Sequence, residues 1–198
     1  MREDWVTPWW QAVNLPKQWD VCGIIAPSLT VWHTFALENI GNCYLRGGRP
    51  DQDDAASLLL FARTDMEGGL KLIAKDLHRT RQMHSIYRKL RKADPADLDI
   101  ACRDYVDTCT RSASRWERAG KGCAVPYQFH IVRRLALYGL SIAEAWGTPY
   151  ALARCYHDAA SEADGVVSIM SPAAQEMEDN WPDIIKAEKE SQCLPSLN

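Results

Sequence analysis

A mainly helical chain is what this sequence predicts, and three observations predict it. Apolar residues recur at three- and four-residue spacing through most of the chain, from Trp32 to Ala163. Helix-start signals recur with them: Asp51 with Asp54, Asp94-Pro95, Ser141 with Glu144, and Thr148-Pro149. Each supplies a side-chain acceptor or a pre-set φ where the first backbone N–H groups of a helix lack partners. No strand–helix–strand alternation accompanies them, which argues against a doubly wound sheet. The expected fold is all-α or mainly α: a compact multi-helix bundle with at most a short strand or hairpin near the N-terminus.

Residues 1–19 read as an irregular arm punctuated by Pro8 and Pro16, carrying Trp5, Trp9, Trp10 and Trp19 before any helical period begins. So much aromatic surface is expected to pack on the body or on a partner. Asp20–Ala26 is a short apolar run compatible with a strand, and Pro27 ends it. Ser28 or Thr30 caps the helix that follows, expected to reach Ile40 with Trp32, Phe35, Ala36 and Ile40 inward. Gly41-Asn42 terminates it, and Arg46 to Pro50 reads as a flexible joint. Asp51 and Asp54 then open a deeply buried helix through Ala55, Leu58, Leu59 and Ala62. Asp65 caps the next, where Gly68-Gly69 weaken the start but Leu70, Ile73 and Leu77, then Ile86, Tyr87 and Leu90, keep the period.

Asp94-Pro95 marks the clearest boundary, a cap followed by a first-turn proline. Beyond it Leu98, Cys102, Tyr105, Val106, Cys109, Ala113 and Trp116 form the stripe of a helix packed against another helix. Pro126 sits in a first turn, followed by Phe129, Ile131, Leu135 and Tyr138 as an inward face that Gly139 closes. Ser141 and Glu144 restart a short helix. Thr148-Pro149 opens another, with Leu152, Tyr156, Ala159 and Ala163 on one stripe ending at Gly165. The remainder is polar and acidic, with Pro172 opening a last helix that Pro182 interrupts. Three regions follow: an aromatic arm (1–19), a helical domain (20–165) and an acidic, partly ordered tail (166–198).

The formal charge of -3 argues against a generally basic nucleic-acid binder. No apolar run is long enough to span a bilayer and MREDWVTPWW holds no secretory core, so a cytosolic compartment and no membrane partner are expected. Seven cysteines without a C-x-x-C read as free, mostly buried thiols. His33, His78, His84, His130 and His157 lack the spacing of a helical zinc site, and the paired glycines lack that of a phosphate loop. No metal, cofactor or catalytic set is expected. The alternative of a different class, a small cytosolic enzyme with a Cys/His site, requires the fold to bring an acid to His33, His130 or His157. The strongest electrostatic feature is the acid-free run holding Arg79, Arg81, Arg88, Lys89, Arg91 and Lys92. Arg81 and Arg88 share a helical face that suits phosphate or an acidic protein. No recognition-helix motif accompanies it, so protein contact is favoured over nucleic acid. The contact candidates are Trp5, Trp9, Trp10, Trp32 and Tyr87, with Arg81, Arg88 and Arg91 as complementary charge.

Two segments carry a resemblance. Trp19 to Phe61 resembles the opening of small tailed-phage proteins encoded among the tail genes: a glycine-to-proline lead into a helix (Gly23, Pro27, Ser28, Leu29), a polar joint (Gly47, Gly48), then an acid-capped apolar helix (Asp53, Leu58 to Phe61). Leu140 to Trp146, continuing through Pro149 to Gly165, looks like the later part of phage tail assembly chaperones. The resemblance implies a non-enzymatic protein that binds a tape-measure protein in the host cytoplasm. It would keep those long helices soluble while tail-tube subunits are recruited, and would be absent from the finished particle. Phage tail proteins are then the implied partners, with a homo-oligomer also open. The middle segment Asp65–Ala119, the tryptophan-rich arm and the acidic tail depart from that pattern. They leave a structural virion component of the tail or neck as the alternative.

Overall fold

The computed structural model describes residues 7–74, 80–112, 115–117 and 125–169, with Ala174 and Asn180. Among them ten helices dominate two short pairs of strands, so the chain is mainly α. No helix among the described residues is long and apolar enough to cross a membrane.

Helix α1 (Thr7–Val13) precedes a hairpin of β1 (Gln18–Val21) and β2 (Ile24–Pro27), paired antiparallel with Val21 opposite Ile24. Cys22 and Gly23 form its two-residue turn with φ of 51° and 78°, a geometry whose twist suits the flanking strands. The Asp20 carboxylate accepts from Gly23 N–H at 2.6 Å. The run from Asp20 to Ala26 is thus parts of two strands and their turn, with Val21, Ile24 and Ala26 inward and Ile25 outward.

Helix α2 (Val31–Asn39) starts at Thr30, which caps it, and not at Ser28. Trp32, Ala36 and Leu37 are buried; Ile40, expected inward, lies past the helix end and is exposed. The joint before Pro50 begins with a helical turn, α3 (Cys43–Arg46), capped by Asn42. The Asn42 amide also donates to Asp54 O and Ser57 Oγ, which fastens this turn to α4 (Gln52–Ala62). Asp51 and Asp54 make the expected reciprocal cap, and every residue from Ala55 to Ala62 is buried. Helix α5 (Met66–Ile73) follows, capped by Asp65.

Around α4 the main core assembles from Val21, Leu29, Leu37, Leu58, Leu59 and Phe61, joined by residues of the next two helices. Helix α6 (Arg81–Leu90), capped by Thr80, contributes Met83, Ile86 and Leu90. Helix α7 (Pro95–Thr110), capped by Asp94, contributes Leu98, Cys102, Tyr105, Val106 and Cys109. That stripe stops at Cys109, because Arg111 turns to extended backbone. Trp116 therefore stands in a strand, β3 (Arg115–Glu117), and Ala113 lies outside the described residues.

A second cluster joins α8 (Tyr127–Leu137), α9 (Ile142–Gly147) and α10 (Tyr150–Ala163) through Ile131, Val132, Leu135, Ala145 and Ala153. The Ser141–Glu144 cap is reciprocal, as the spacing predicts. Of two expected faces, that of α8 holds at Ile131 and Leu135 only, and that of α10 is rotated. On α8 the inward residues are Gln128, Ile131, Val132 and Leu135, while Phe129 and Tyr138 face out. On α10 Ala151, Cys155, Asp158 and Ala160 face in, and Tyr156, Ala159 and Ala163 face out. On α10 the inward side is made of small residues, which let the neighbouring backbones approach closely, whereas on α8 it is a branched aliphatic face joined by Gln128. Bonds from Val31 N–H to Thr148 O and from Tyr150 N–H to Leu29 O tie the starts of α2 and α10.

Trp19 lies within β1, and α1 packs on α10 by Ala12 against Ala151 and Cys155, so the described arm belongs to the body. β4 (Val167–Ile169), assigned to the tail, pairs antiparallel with β3. The expected helix at 172–182 falls outside the described residues except for Ala174 and Asn180.

Candidate functional site

The orientation of α5 creates the most distinctive surface. A Cβ placed on Gly69 would stand 3.0 Å from Trp32 Nε1 and 3.1 Å from Cζ2, so the glycine allows the helix to rest directly on the indole. This contact turns Gly69 and Leu72 inward. Met66, Leu70 and Ile73 then fall on the outer side, 37%, 52% and 45% exposed. They are spaced four and three residues apart, one continuous apolar stripe on a helix.

Met66 borders an open groove of about 730 Å³. The groove is floored by Trp32, Trp146 and Ala62, and the exposed Lys17, Arg63, Asp65, Glu67 and Ala143 stand around it. Behind the floor the aromatic rings interlock edge-on. Trp32 and Trp146 are 6.4 Å apart, Phe35 and Phe129 5.3 Å, and Phe129 and Trp146 5.2 Å, a preferred arrangement for rings of opposite edge and face charge. The cluster emerges at the surface through Phe129.

His33 supports this groove. Its Nδ1 accepts from Thr30 N–H at 3.1 Å, which leaves the proton on Nε2 to donate to Thr64 O at 2.9 Å. Both ring nitrogens are thereby occupied by backbone groups, and burial holds the pKa below the ordinary histidine range. The ring joins the start of α2 to the turn between α4 and α5.

A second open cleft, about 810 Å³, lies along α6 and is lined by Gln52, Asp53, Arg81, His84, Tyr87, Arg88 and Arg91. Four of the residues singled out from sequence thus converge: Arg81, Tyr87, Arg88 and Arg91. Tyr87 donates to Asp53 Oδ1 at 2.6 Å. Burial first, and then Asp53, push its phenol up, so it remains a donor.

The tryptophan candidates do not join that cleft. Trp5 lies outside the described residues. Trp9 packs against Ala12, Ala151 and Cys155, and Trp10 is 65% exposed. Trp32, expected as a contact residue, is only 5% exposed, because α5 and Trp146 cover it; it is floor and not anchor.

A polar cluster ties α8 to α10. The hydroxyl of Tyr127 lies 3.1 Å from both His157 Nδ1 and Asp158 Oδ1, and His157 lies 3.5 Å from Asp158. Arg154 approaches Asp158 Oδ2 at 3.8 Å and stands 5.9 Å from the Tyr127 ring centroid. A buried carboxylate needs such company, and this set supplies it. None of these four residues lines either groove. Burial raises the thiol of Cys102 to about 12 and those of Cys109 and Cys155 to about 11, which keeps them protonated and unreactive at neutral pH. Among the described residues no three His, Cys, Asp or Glu groups converge to hold a metal.

Sequence reasoning missed the α5 stripe and Asp158. Gly68-Gly69 was the available signal for the first, read as helix weakening when one of the pair marks a close approach. A charge amid the alanines of α10 was the signal for the second.

No protein-family model matches the chain, and neither a curated protein nor a solved structure does. Architecture and surface define the class: a mainly α protein with an apolar groove beside an outward apolar stripe, and a separate basic cleft.

Proposed function

We propose that the chain is a non-enzymatic assembly factor of the tail-assembly-chaperone kind, which holds an amphipathic helix of a tape-measure-like phage tail protein. The observation that carries this reading is the outward stripe Met66–Leu70–Ile73 beside the tryptophan-floored groove. An apolar helical ridge next to a groove is the receiving half of a helix-in-groove contact, read by side chains at the same spacing on the partner. The rim carries both signs of charge, which sets register more than affinity. Capping resemblances at Trp19–Phe61 and Leu140–Gly165 support the same assignment, and the host cytoplasm is the setting it requires.

The test is co-expression with the long helical protein encoded among the neighbouring tail genes, followed by size-exclusion chromatography. A co-eluting complex is expected. The Leu70→Gln/Ile73→Gln double variant should weaken it at least about tenfold, as loss of two interface anchors does. A complex indifferent to that change would remove the groove from the account. A chain that ignores every tail protein would remove the assembly role itself. Recovery of the chain in purified particles would reassign it as a structural component of tail or neck.

A further inference from the structure

Helices α6 and α7 carry the same pattern of positions with opposite charge. Arg81, His84, Arg88 and Arg91 follow one another at spacings of three, four and three, and all are exposed. Asp97, Ile100, Asp104 and Asp107 repeat those spacings on α7 and are exposed as well. At about 3.6 residues per turn each set is one narrow stripe. Each stripe lies opposite the buried face of its helix: Met83, Ile86 and Leu90 on α6, and Leu98, Cys102 and Cys109 on α7. The two stripes therefore do not face each other within one chain.

Among the described residues none of these arginines and aspartates is in an ion pair. Arg103, on the flank of the acidic stripe, is bonded to Asp99 at 3.0 Å and stands near Tyr44. Ile100 is 58% exposed at the centre of the acids. The basic stripe, by contrast, lines a cleft, so one surface is a charged ridge and the other a receptacle of opposite sign.

We propose that the chain self-associates by seating the α7 stripe of one copy in the α6 cleft of the next. Aligned in parallel, Arg81 meets Asp97, Arg88 meets Asp104, Arg91 meets Asp107, and His84 covers Ile100. Each pair has an unlike surface on either side, so the contact is heterologous and propagates until it closes. Exposed ion pairs are individually weak, so the association is moderate and strongly screened by salt. It uses neither the tryptophan-floored groove nor the α5 stripe.

Sedimentation velocity of the full chain tests this over roughly 5 to 200 µM, in about 50 mM and about 500 mM salt. Species heavier than monomer are expected at low salt, with association weakened at least about tenfold at high salt. Arg81→Glu/Arg88→Glu/Arg91→Glu and Asp97→Lys/Asp104→Lys/Asp107→Lys should each be monomeric with unchanged circular dichroism. Their equimolar mixture should associate again, because each then offers what the other lacks. Leu70→Gln/Ile73→Gln should associate like the unaltered chain. The proposal fails if the unaltered chain is monomeric throughout, or if the charge-reversed mixture does not recombine. It also fails if the Leu70→Gln/Ile73→Gln chain is monomeric, which would move the interface to the groove, or if the arginine stripe retains nucleic acid on a monomer.

Discussion

Helices α4 and α5 are neighbours in sequence and both rich in apolar residues, yet the fold encloses only the first. From Ala55 to Ala62 every residue of α4 is buried, because α2, α3, α6, α7 and β2 all lie against it. Helix α5 rests on α2 and buries Gly69 and Leu72, leaving Met66, Leu70 and Ile73 outside. Number of neighbours, and not composition, decides the burial of a helix. A monomer gains nothing from an outward apolar stripe, so the stripe on α5 is read as a surface and that on α4 as core.

The sharpest way to break this contrast is to delete one large apolar side chain from each of the two helices. Phe61, fully buried on α4, should cost about 3–5 kcal/mol when changed to alanine, through lost transfer energy and the cavity left behind. Leu70→Ala on α5 should stay within about 0.5 kcal/mol, the usual range for an exposed position. Urea unfolding at constant m-value measures both. Comparable losses would mean that α5 is as enclosed as α4, and the interaction surface would disappear with the contrast.

Gly69 sharpens the same comparison at a smaller scale. Alanine is favoured over glycine inside a helix by about 1 kcal/mol, which predicts stabilisation if α5 touches nothing. The indole of Trp32 at 3.0 Å predicts the reverse, since inserting a methyl group into a packed site costs about 1–3 kcal/mol. A net loss is expected for Gly69→Ala, recovered in part when Trp32→Phe makes room. A double-mutant cycle isolates that coupling. Stabilisation by the single change would detach α5 from the tryptophan and leave its stripe without a fixed direction.

The legible and illegible parts of the fold divide along similar lines. Caps were readable because their chemistry is local: Asp51 with Asp54, Asp65, Asp94 and Ser141 with Glu144 all do what their spacing requires. Facing was readable only where a helix is crowded, as on α4 and α7. On α10 small residues, Ala151, Ala153, Cys155 and Ala160, take the inward side and leave Tyr156 outside; on α8 Ile131, Val132 and Leu135 take it, with Phe129 on the flank and Tyr138 past the helix end. The basic cleft was half legible: helical period placed Arg81 and Arg88 together, but only the packing of α6 on α4 brings Asp53 to Tyr87. The α5 groove was not legible at all, because it depends on Trp32, Gly69 and Trp146 meeting from three separate helices.

The smallest expected effect concerns His33, which fastens the turn between α4 and α5 to the start of α2. Its neutral ring satisfies Thr30 N–H and Thr64 O, and burial holds its pKa below the ordinary value. In the unfolded chain a histidine takes up a proton near pH 6.5. Below that pH the unfolded state binds the proton more readily than the folded one, so protonation favours unfolding. The contribution is therefore complete above about pH 6.5 and is lost as the pH falls from there through the depressed folded-state value. The denaturation midpoint should hold steady between roughly pH 8 and 7 and decline as the pH falls below about 6.5. His33→Gln, which cannot take the proton but can still donate to Thr64 O, should decline less over the same interval. Parallel declines in the two chains would show that acid acts elsewhere, and would leave the α4–α5 turn held by Trp32 and Gly69 without help from the histidine.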